Sequence, residues 1–499
     1  MKLPVSSNPK HTRLIHPNTN TTSSLNYEPT SVLDLRRSPS PSGKPVVVSD
    51  PSLEWEDHVL QNFDWDSIMK ELDFHEDNSN SKAESIIPDH PLQLLNHPDF
   101  NDICFNNINF PSQDSISLDL SHNIGNNCSA FDLIQELIRA ADCVDSNEIH
   151  LANGILERLN HRLQSPVGKP LQRAAFFFKE ALQSLLTANS PPPRITSWSD
   201  VVQTIKAYKV FSGISPIPMF NHITVNQALL ETLDDSPPFI HVIDFDIGLG
   251  CHYASFMREL VEKSDYCSTL TSPVLRITAV VPEDYAIQTQ LIKQCLSQYA
   301  IELKIRFQIE FVLARTFEMV SFKSIKFIDG EKTAVLLSPA FFRRLGSNSS
   351  VNNFVIDLRR VSPGVIVVVD YEGWAESGGA SFRRNFVNGL EFFTMVFESL
   401  DAAAAAAGGE WTRKIEMYLI KPMIFAAVEG CGRRISPPWR EVLGGAGMRQ
   451  LQFSPFADFQ AECLLGKVQV RGFYVAKRQA ELVLCWHERP LISTSAWKC

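Results

Sequence analysis

The stretch from 239 to 259, FIHVIDFDIGLGCHYASFMRE, constrains the fold more than any other part of this 499-residue chain. Its first half is a run of apolar and β-branched residues without polar alternation, which is typical of a strand buried on both faces of a parallel sheet. The run breaks at Gly248 and Gly250, and apolar residues then recur at helical spacing. A strand, a tight glycine turn and a helix form the opening unit of a doubly wound α/β domain.

Further strands and helices alternate after this unit. We predict strands at 275–281, 305–312, 333–337 and 364–369, helices at 286–299 and 382–400, and an alanine-rich loop at 402–409. Two closing strands, 470–477 and 482–486, flank a short turn at 479–480 and predict an antiparallel hairpin. The fold class is therefore α/β, with a mostly parallel, Rossmann-like sheet that ends in an antiparallel hairpin, as in Rossmann-like methyltransferases.

A helical region, 129–238, precedes this α/β core of 239–499. Apolar stripes at helical spacing begin at Phe131, Ile149 and Leu171, and a fourth helix begins near Ser199. Each stripe is shorter than about three heptads, so packed helices are a better interpretation than a coiled coil. We expect an N-terminal helical cap on the sheet, and one domain over 129–499.

The formal charge divides the chain at about residue 128. Residues 1–128 hold 8 Lys and Arg against 18 Asp and Glu, which is the whole net charge of -10, so 129–499 is neutral with 38 of each sign. The Ser-, Asn- and Asp-rich first part predicts a disordered acidic tail. A neutral domain argues against strong direct DNA binding, which depends on a net basic face.

One segment of the tail, 55–77, mixes apolar residues with eight acids and a single lysine. It is either a helix that folds against an apolar groove of a partner, as acidic activation segments do, or a solvated linker. Both interpretations stay open. The candidate contact residues are Trp55, Phe63, Trp65, Ile68 and Leu72.

Cysteine spacing and hydropathy indicate a soluble intracellular protein. No two of the ten cysteines lie closer than Cys485 and Cys499, so no zinc-binding CxxC occurs, and a disulfide framework is not expected. The chain begins without an apolar signal region and contains no run long enough to cross a membrane.

The glycine turn tests the resemblance to methyltransferases. Their first strand is followed by GxGxG, whose glycines let the backbone approach the cofactor. Gly248 and Gly250 fit this pattern, but the third glycine position holds His252, and in the GxGxxG variant it holds Tyr253. Bulky side chains there would crowd a cofactor, so we predict no cofactor and no catalytic residues.

Acidic residues follow the first two predicted strands. Asp244 or Asp246, and Glu283 or Asp284, occupy the positions where a methyltransferase holds its cofactor. We expect Asp244 and Asp246 instead to cap the next helix or to meet arginines of the helical layer. His241, on the buried strand, is expected to be a hydrogen-bonded core residue.

Five blocks in order resemble the plant GRAS regulators. His241, Val242, Ile243, Asp244 and Phe245 are similar to the VHIID signature. The helical stripes from 131 to about 208 and the segment 287–320 resemble the two leucine heptad regions, 358–402 resembles the PFYRE block, and 472–497 resembles the SAW block, which ends here in Ser495, Ala496 and Trp497. Segments such as LQRAAFFFKEAL and FADFQAECLL look most like the scarecrow-like branch close to the hairy-meristem group.

Some positions depart from the family pattern. The tyrosine pair usual in PFYRE is Phe392-Phe393, the aromatic residue before the SAW end is Met448, and the arginine-glutamate cluster is reduced to Arg433-Arg434 with Trp439-Arg440. Polar roles of the family are therefore not carried over to these positions.

The resemblance implies a nuclear transcriptional regulator or co-regulator that contacts DNA-binding transcription factors and can form homo- or heterodimers. The alternative is a Rossmann-like methyltransferase that keeps a small-molecule pocket.

The end of the chain is expected to be structural. A tryptophan at 497 after the short polar run 493–495 suggests that this segment folds back and docks the indole ring on the sheet or the helical layer.

Overall fold

The structure, a computed structural model, describes residues 124–187, 197–232, 239–266, 274–372, 381–404, 409–432 and 438–499. The acidic segment 55–77 lies outside these ranges, so its two interpretations both remain predictions. Among the described residues, no helix is long and apolar enough to cross a bilayer.

Five helices precede the first strand in the described part of the chain; the apolar stripes predict the first four, and the fifth was not predicted. They are α1 (Ile124–Asp145), α2 (Ile149–Arg162), α3 (Pro170–Leu186), α4 (Trp198–Ile214) and α5 (Pro216–Thr232). Pro170 begins α3, where its missing N–H removes no helical hydrogen bond. The Ser197 hydroxyl caps α4 by accepting a hydrogen bond from the backbone N–H of Asp200.

The sheet and its helices follow in alternation. The strands are β1 (Phe239–Asp244), β2 (Val274–Val281), β3 (Arg306–Leu313), β4 (Lys332–Leu337), β5 (Val365–Tyr371), β6 (Arg449–Leu451), β7 (Phe473–Arg478), β8 (Glu481–Trp486) and β9 (Arg489–Lys498). The helices are α6 (His252–Tyr266), α7 (Ala286–Glu302), α8 (Ala314–Val320), α9 (Pro339–Leu345), α10 (Asn348–Val361), α11 (Phe382–Ala404), α12 (Gly409–Ile415), α13 (Lys421–Gly430), α14 (Trp439–Gly445) and α15 (Pro455–Val468). A 3₁₀ turn (Ser321–Ser324) follows α8, and a π-helical turn (Glu416–Ile420) joins α12 to α13.

The strand order is β3-β2-β1-β4-β5-β9-β8-β7, with β6 paired to β9. The pairs from β3 to β5 are parallel, and the pairs that involve β6 to β9 are antiparallel. The predicted fold class is thereby confirmed, including the β7–β8 hairpin.

Two apolar layers cover the faces of the sheet, because alternate side chains of the buried strands point to opposite sides. Val242 packs in the cluster that contains Tyr253 and Phe256 of α6. Ile243, the next residue, packs in the cluster with Phe354 of α10. The sheet is thus doubly wound, and β1 lies at its centre between β2 and β4.

The structure differs from the prediction at three places. Strand β9, which the sequence analysis treats as a docking segment, lies inside the sheet between β5 and β8. The predicted loop at 402–409 is wrong in its first residues, because α11 continues to Ala404. The helical layer also includes α11, which follows β5 and packs against α3: Phe177 stacks on Phe397 at 5.9 Å between ring centroids.

Candidate functional site

His241 lies in the middle of β1 and belongs to a buried polar cluster on one face of the sheet. Its Nδ1 accepts a hydrogen bond from Arg276 Nη2 at 3.0 Å, and its Nε2 lies 2.9 Å from the Thr278 hydroxyl. Arg276 also donates to both carboxylate oxygens of Glu331. Burial, and then the charge of Arg276, lowers the pKa of His241 to about 4. The imidazole is therefore neutral and holds β1, β2 and the entry to β4 in register.

Asp244 ends β1 and is almost completely buried. Its Oδ2 accepts a hydrogen bond from the Tyr253 hydroxyl at 2.8 Å, and its Oδ1 accepts one from the backbone N–H of Asp246 at 2.8 Å. Burial raises the pKa of Asp244 to about 7, and the two hydrogen bonds oppose the increase. The prediction that Asp244 caps the helix or meets arginines is wrong, because Tyr253, the second residue of α6, supplies its side-chain partner.

The turn between β1 and α6 has the backbone conformation that its glycines predict. Gly248 and Gly250 have φ of 55° and 68°, values that favour glycine. A Cβ at Gly250 would lie 3.2 Å from Ile292 of α7, so this position is also constrained by close packing. The backbone of the turn therefore requires glycine at both positions.

The side chains after the turn fill the place that a cofactor loop leaves open. Tyr253 is fully buried next to Asp244, and the centroids of the His252 and Tyr253 rings are 4.0 Å apart. After β2, Glu283, one of the two candidate carboxylates for the ribose position, accepts a hydrogen bond from the backbone N–H of Arg315. These residues do not fit a methyltransferase cofactor, because both oxygens of Asp244 and the space beside them are occupied by the chain itself.

A second chain of polar contacts connects the helical layer to this site. The Tyr208 hydroxyl of α4 lies 2.7 Å from His222 Nε2 of α5, and the His222 ring lies 5.9 Å from that of His252. Burial lowers the pKa of His222 to about 4 and that of His252 to about 3, so both rings are neutral at pH 7. These contacts connect α4 and α5 to His252 at the start of α6, next to Tyr253.

The three SAW residues lie in β9 and pair with β5. Ser495, Ala496 and Trp497 are opposite Val368, Val367 and Ile366. Trp497 is 5% exposed, and its Nε1 donates to the Ser495 hydroxyl at 2.9 Å. Its ring meets Trp439 of α14 edge-on, at 6.1 Å between centroids. The Trp497 ring is packed in the interior, as expected. The segment that carries it is a strand of the sheet rather than a tail that folds back onto it.

An ion-pair cluster beside β9 was missed by the sequence analysis. Arg440 of α14 donates to Asp370 (3.1 Å), Glu372 (3.1 Å) and Glu481 (2.9 Å), and Arg478 bonds Glu372 and Glu481. This set connects the end of β5 with β7, β8 and α14.

The carboxylates of this cluster respond differently to their surroundings. Burial, and then the charge of Glu372, raises the pKa of Asp370 to about 6. Burial also acts on Glu372, but hydrogen bonding and the charge of Arg478 outweigh it, so its pKa lies below the usual range. The sequence contains a signal for this cluster, because the acids Asp370 and Glu372 stand at the end of the buried run GVIVVVD. Their partner is Arg440, which the sequence analysis assigned only to a reduced arginine-glutamate cluster.

The site residues predicted from the sequence therefore lie in separate parts of the molecule. The VHIID-like residues lie at the centre of the sheet, and the SAW residues lie on the far side of β4 and β5. The described residues contain no group of three side chains suited to hold a metal ion. The activation-segment residues lie outside the described ranges.

Comparisons with known proteins agree with this arrangement. The model of the GRAS domain family matches residues 133–498. Scarecrow-like protein 15 of Arabidopsis thaliana is 52% identical over 475 residues, which cover 89% of this chain and 95% of that protein. Scarecrow-like protein 6 of the same plant is 36% identical over 370 residues, 74% of this chain and 63% of that protein. The crystal structure of SCL7 from Oryza sativa superposes with a TM-score of 0.56 at 26% identity, covering 73% of this chain and 99% of that one. The chain therefore belongs to the GRAS family of plant transcriptional regulators, within its scarecrow-like group.

Proposed function

We propose that this chain acts in the nucleus as a co-regulator that binds DNA-binding transcription factors through its folded domain, and that it catalyses no methyl transfer. The observation that supports the absence of methyl transfer is the hydrogen bond between Tyr253 and Asp244. The two side chains occupy the end of β1, where an enzyme of this fold class would hold its cofactor.

The balance of charge supports recruitment through proteins rather than through DNA. Residues 129–499 carry 38 basic and 38 acidic side chains, so the domain as a whole offers no excess of positive charge to phosphates. Affinity for duplex DNA rises with the number of phosphates neutralised. Sequence-specific recruitment is therefore assigned to the partner.

The acidic segment 55–77 is proposed to contact the transcription machinery. Its apolar residues, including Phe63 and Trp65, are interleaved with acids, a pattern that suits an amphipathic helix in a basic, apolar groove. Changing Phe63 and Trp65 to Ala should reduce a transcriptional output, whereas changing Asp64 and Asp66 to Asn is the matched control for charge. An equal output from the Phe63 and Trp65 variant and the parent would favour the solvated-linker interpretation.

Proximity labelling in plant nuclei tests the co-regulator proposal. The full chain and residues 129–499 should both label DNA-binding transcription factors. The purified full chain should bind DNA only at the non-specific level, with dissociation constants of about 1 to 100 μM at physiological salt. Nanomolar, sequence-specific binding by the purified protein alone would refute the proposal.

Titration with S-adenosylmethionine tests the alternative function. A ligand at 100 times its dissociation constant stabilises a protein by about 2.7 kcal/mol, so binding would raise the melting temperature. We expect no increase. Methyl transfer that is lost in a fully stable Asp244→Ala variant would instead establish the enzyme.

A further inference from the structure

Helices α8 and α10, with the 3₁₀ turn that contacts both, form one continuous surface, here called the α8–α10 surface. Each of the three elements turns an aromatic ring inward. Phe317, Phe322 and Phe354 lie 5.3 to 6.2 Å apart between ring centroids. Because the inner rings meet, the outer faces of the three elements lie side by side and point away from the sheet.

Large apolar side chains are exposed on this surface. Met319 and Val320 of α8 are 77% and 42% exposed, and Ile356 of α10 is 49% exposed. Phe327 and Ile328 continue the patch in the loop that follows the 3₁₀ turn. Exposed apolar residues that are clustered rather than scattered mark a surface that another apolar segment covers.

The α8–α10 surface is also basic, within a domain that is neutral as a whole. Residues 313–361 include 8 Lys and Arg against 4 Asp and Glu, a local excess of positive charge. Lys323 of the turn and Arg359 and Arg360 of α10 are exposed. Part of the charge is neutralised, since Arg360 lies 2.8 Å from Asp357, but the excess remains. The surface therefore suits an occupant that is both acidic and apolar.

Segment 55–77 of the same chain has the complementary composition. Eight acids against one lysine give it a net charge of -7. Trp65, Ile68 and Leu72 are spaced i, i+3 and i+7, so a helix would place them on one face. An acidic helix of this kind matches an apolar patch among basic residues, whereas DNA would leave the apolar residues of the patch without a partner.

The connection between the segment and the domain favours this occupant over a separate partner. The 46 residues 78–123 separate the segment from Ile124 at the start of α1. Fully extended, they span at most about 165 Å, several times the radius of gyration of about 21 Å expected for a domain of this size. The segment can therefore reach the surface, and docking is an intramolecular event whose effective concentration is set by the tether.

We propose that segment 55–77 docks on the α8–α10 surface of its own chain, with its apolar residues against Met319 and Ile356 and its acids beside Lys323 and Arg359. Docking and contact with the transcription machinery use the same apolar residues, so they exclude each other. The docked segment is therefore inactive until a partner displaces it. This regulatory consequence rests on the activation role proposed above for the segment, whereas the docking itself does not.

Photo-crosslinking within the full-length chain tests the docking. Trp65→p-benzoylphenylalanine should give cross-links within one chain, concentrated in 314–328 and 348–361. Phe100→p-benzoylphenylalanine, outside the segment, is the matched control and should not favour these ranges. Mixing isotope-labelled with unlabelled chains identifies cross-links between copies. Cross-links from position 65 that spread over the whole domain, join different copies or match the control would overturn the proposal.

Apolar variants test which side chains hold the segment. Met319→Ser combined with Ile356→Ser should reduce the cross-links from position 65 to the level of the control. Both side chains are exposed, so the fold should be unaffected. Ile301→Ser is the matched variant, because Ile301 is 70% exposed on α7, which packs on the opposite face of the sheet. Equal cross-linking in the two variants would contradict the proposal.

Charge variants test the basic part of the surface. Lys323→Glu combined with Arg359→Glu should lower the cross-link yield by about threefold or more, because two attractive charges become repulsive. Lys293→Glu, exposed on α7, should leave the yield unchanged. If the yield is instead unchanged while non-specific affinity for DNA falls, the surface binds DNA and the proposal is wrong.

Transcriptional output separates the docking from the activation role. Met319→Ser combined with Ile356→Ser should raise the output, and the increase should disappear when Phe63 and Trp65 are changed to Ala. Cross-links to the surface, together with an output that does not depend on Phe63 and Trp65, would support the docking and refute the activation role. An output that depends on them without such cross-links would refute the docking and support the activation role.

Discussion

Replacing Tyr253 with Phe removes one hydroxyl group and leaves the ring in the core. The hydroxyl donates to Asp244 at 2.8 Å, and both residues are buried, so the lost donor leaves a carboxyl oxygen without its partner. Leaving a buried polar group unsatisfied costs about 1 to 3 kcal/mol. For a domain of this size, we expect the melting temperature to fall by about 1 to 2 °C per kcal/mol.

The cost should depend on pH, because Asp244 titrates in the accessible range. Burial raises its folded pKa to about 7, above the value of about 3.9 for an unfolded chain. The group therefore favours the folded state most below about pH 4, and this contribution is lost as the pH rises through about 7. The Tyr253 hydroxyl lowers the folded pKa of Asp244, so it stabilises the ionised form and is worth more at pH 8 than at pH 5.

Urea unfolding of the parent and Tyr253→Phe at pH 5 and pH 8 measures this difference. Tyr285→Phe is the matched control, because the Tyr285 hydroxyl donates to the uncharged carbonyl of Gly248. Its cost should be the same at both pH values. An equal cost of Tyr253→Phe at pH 5 and pH 8, or no cost at either, would refute the assigned hydrogen bond.

Three further perturbations test the fold. Trp497→Ala should lower the unfolding free energy in urea by about 3 to 5 kcal/mol, whereas Lys498→Ala, exposed on the next residue, should change it little; equal effects would contradict the burial of Trp497. Arg440→Ala should cost about 3 to 5 kcal/mol because it leaves buried carboxylates without their partner, and Arg478→Ala, more exposed, should cost less; the reverse order in thermal melts would rule this out. Limited proteolysis should trim only the acidic tail and leave 129–499 as one fragment, and two stable fragments divided between 208 and 239 would show separate domains.

The parallel half of the sheet was predictable because its signal is local. A run of buried β-branched residues such as GVIVVVD identifies β5 without knowledge of its neighbours. The boundary of β1 was less clear, since Phe245 and Ile247 continue the apolar pattern but pack outside the strand, which ends at Asp244.

Strand β9 was not predictable in the same way, because its middle is polar. Ser493 and Thr494 are buried, and their hydroxyls find partners on Glu372 and on Thr224 of α5, which are distant in sequence. The partner of Asp244 was missed for a related reason: which side chain of α6 meets the end of β1 depends on how the helix sits on the sheet. Both the place of β9 in the sheet and the partner of Asp244 therefore depend on contacts between segments that are remote in sequence.

The position of β9 has a consequence for folding during synthesis. Because β9 lies between β5 and β8 but follows both in the chain, these two strands leave the ribosome with unpaired edges. Neither edge can close until the ribosome has translated the codons beyond Arg489. Unpaired edges invite association between nascent chains, so the interval before β9 emerges is when this protein most needs a chaperone.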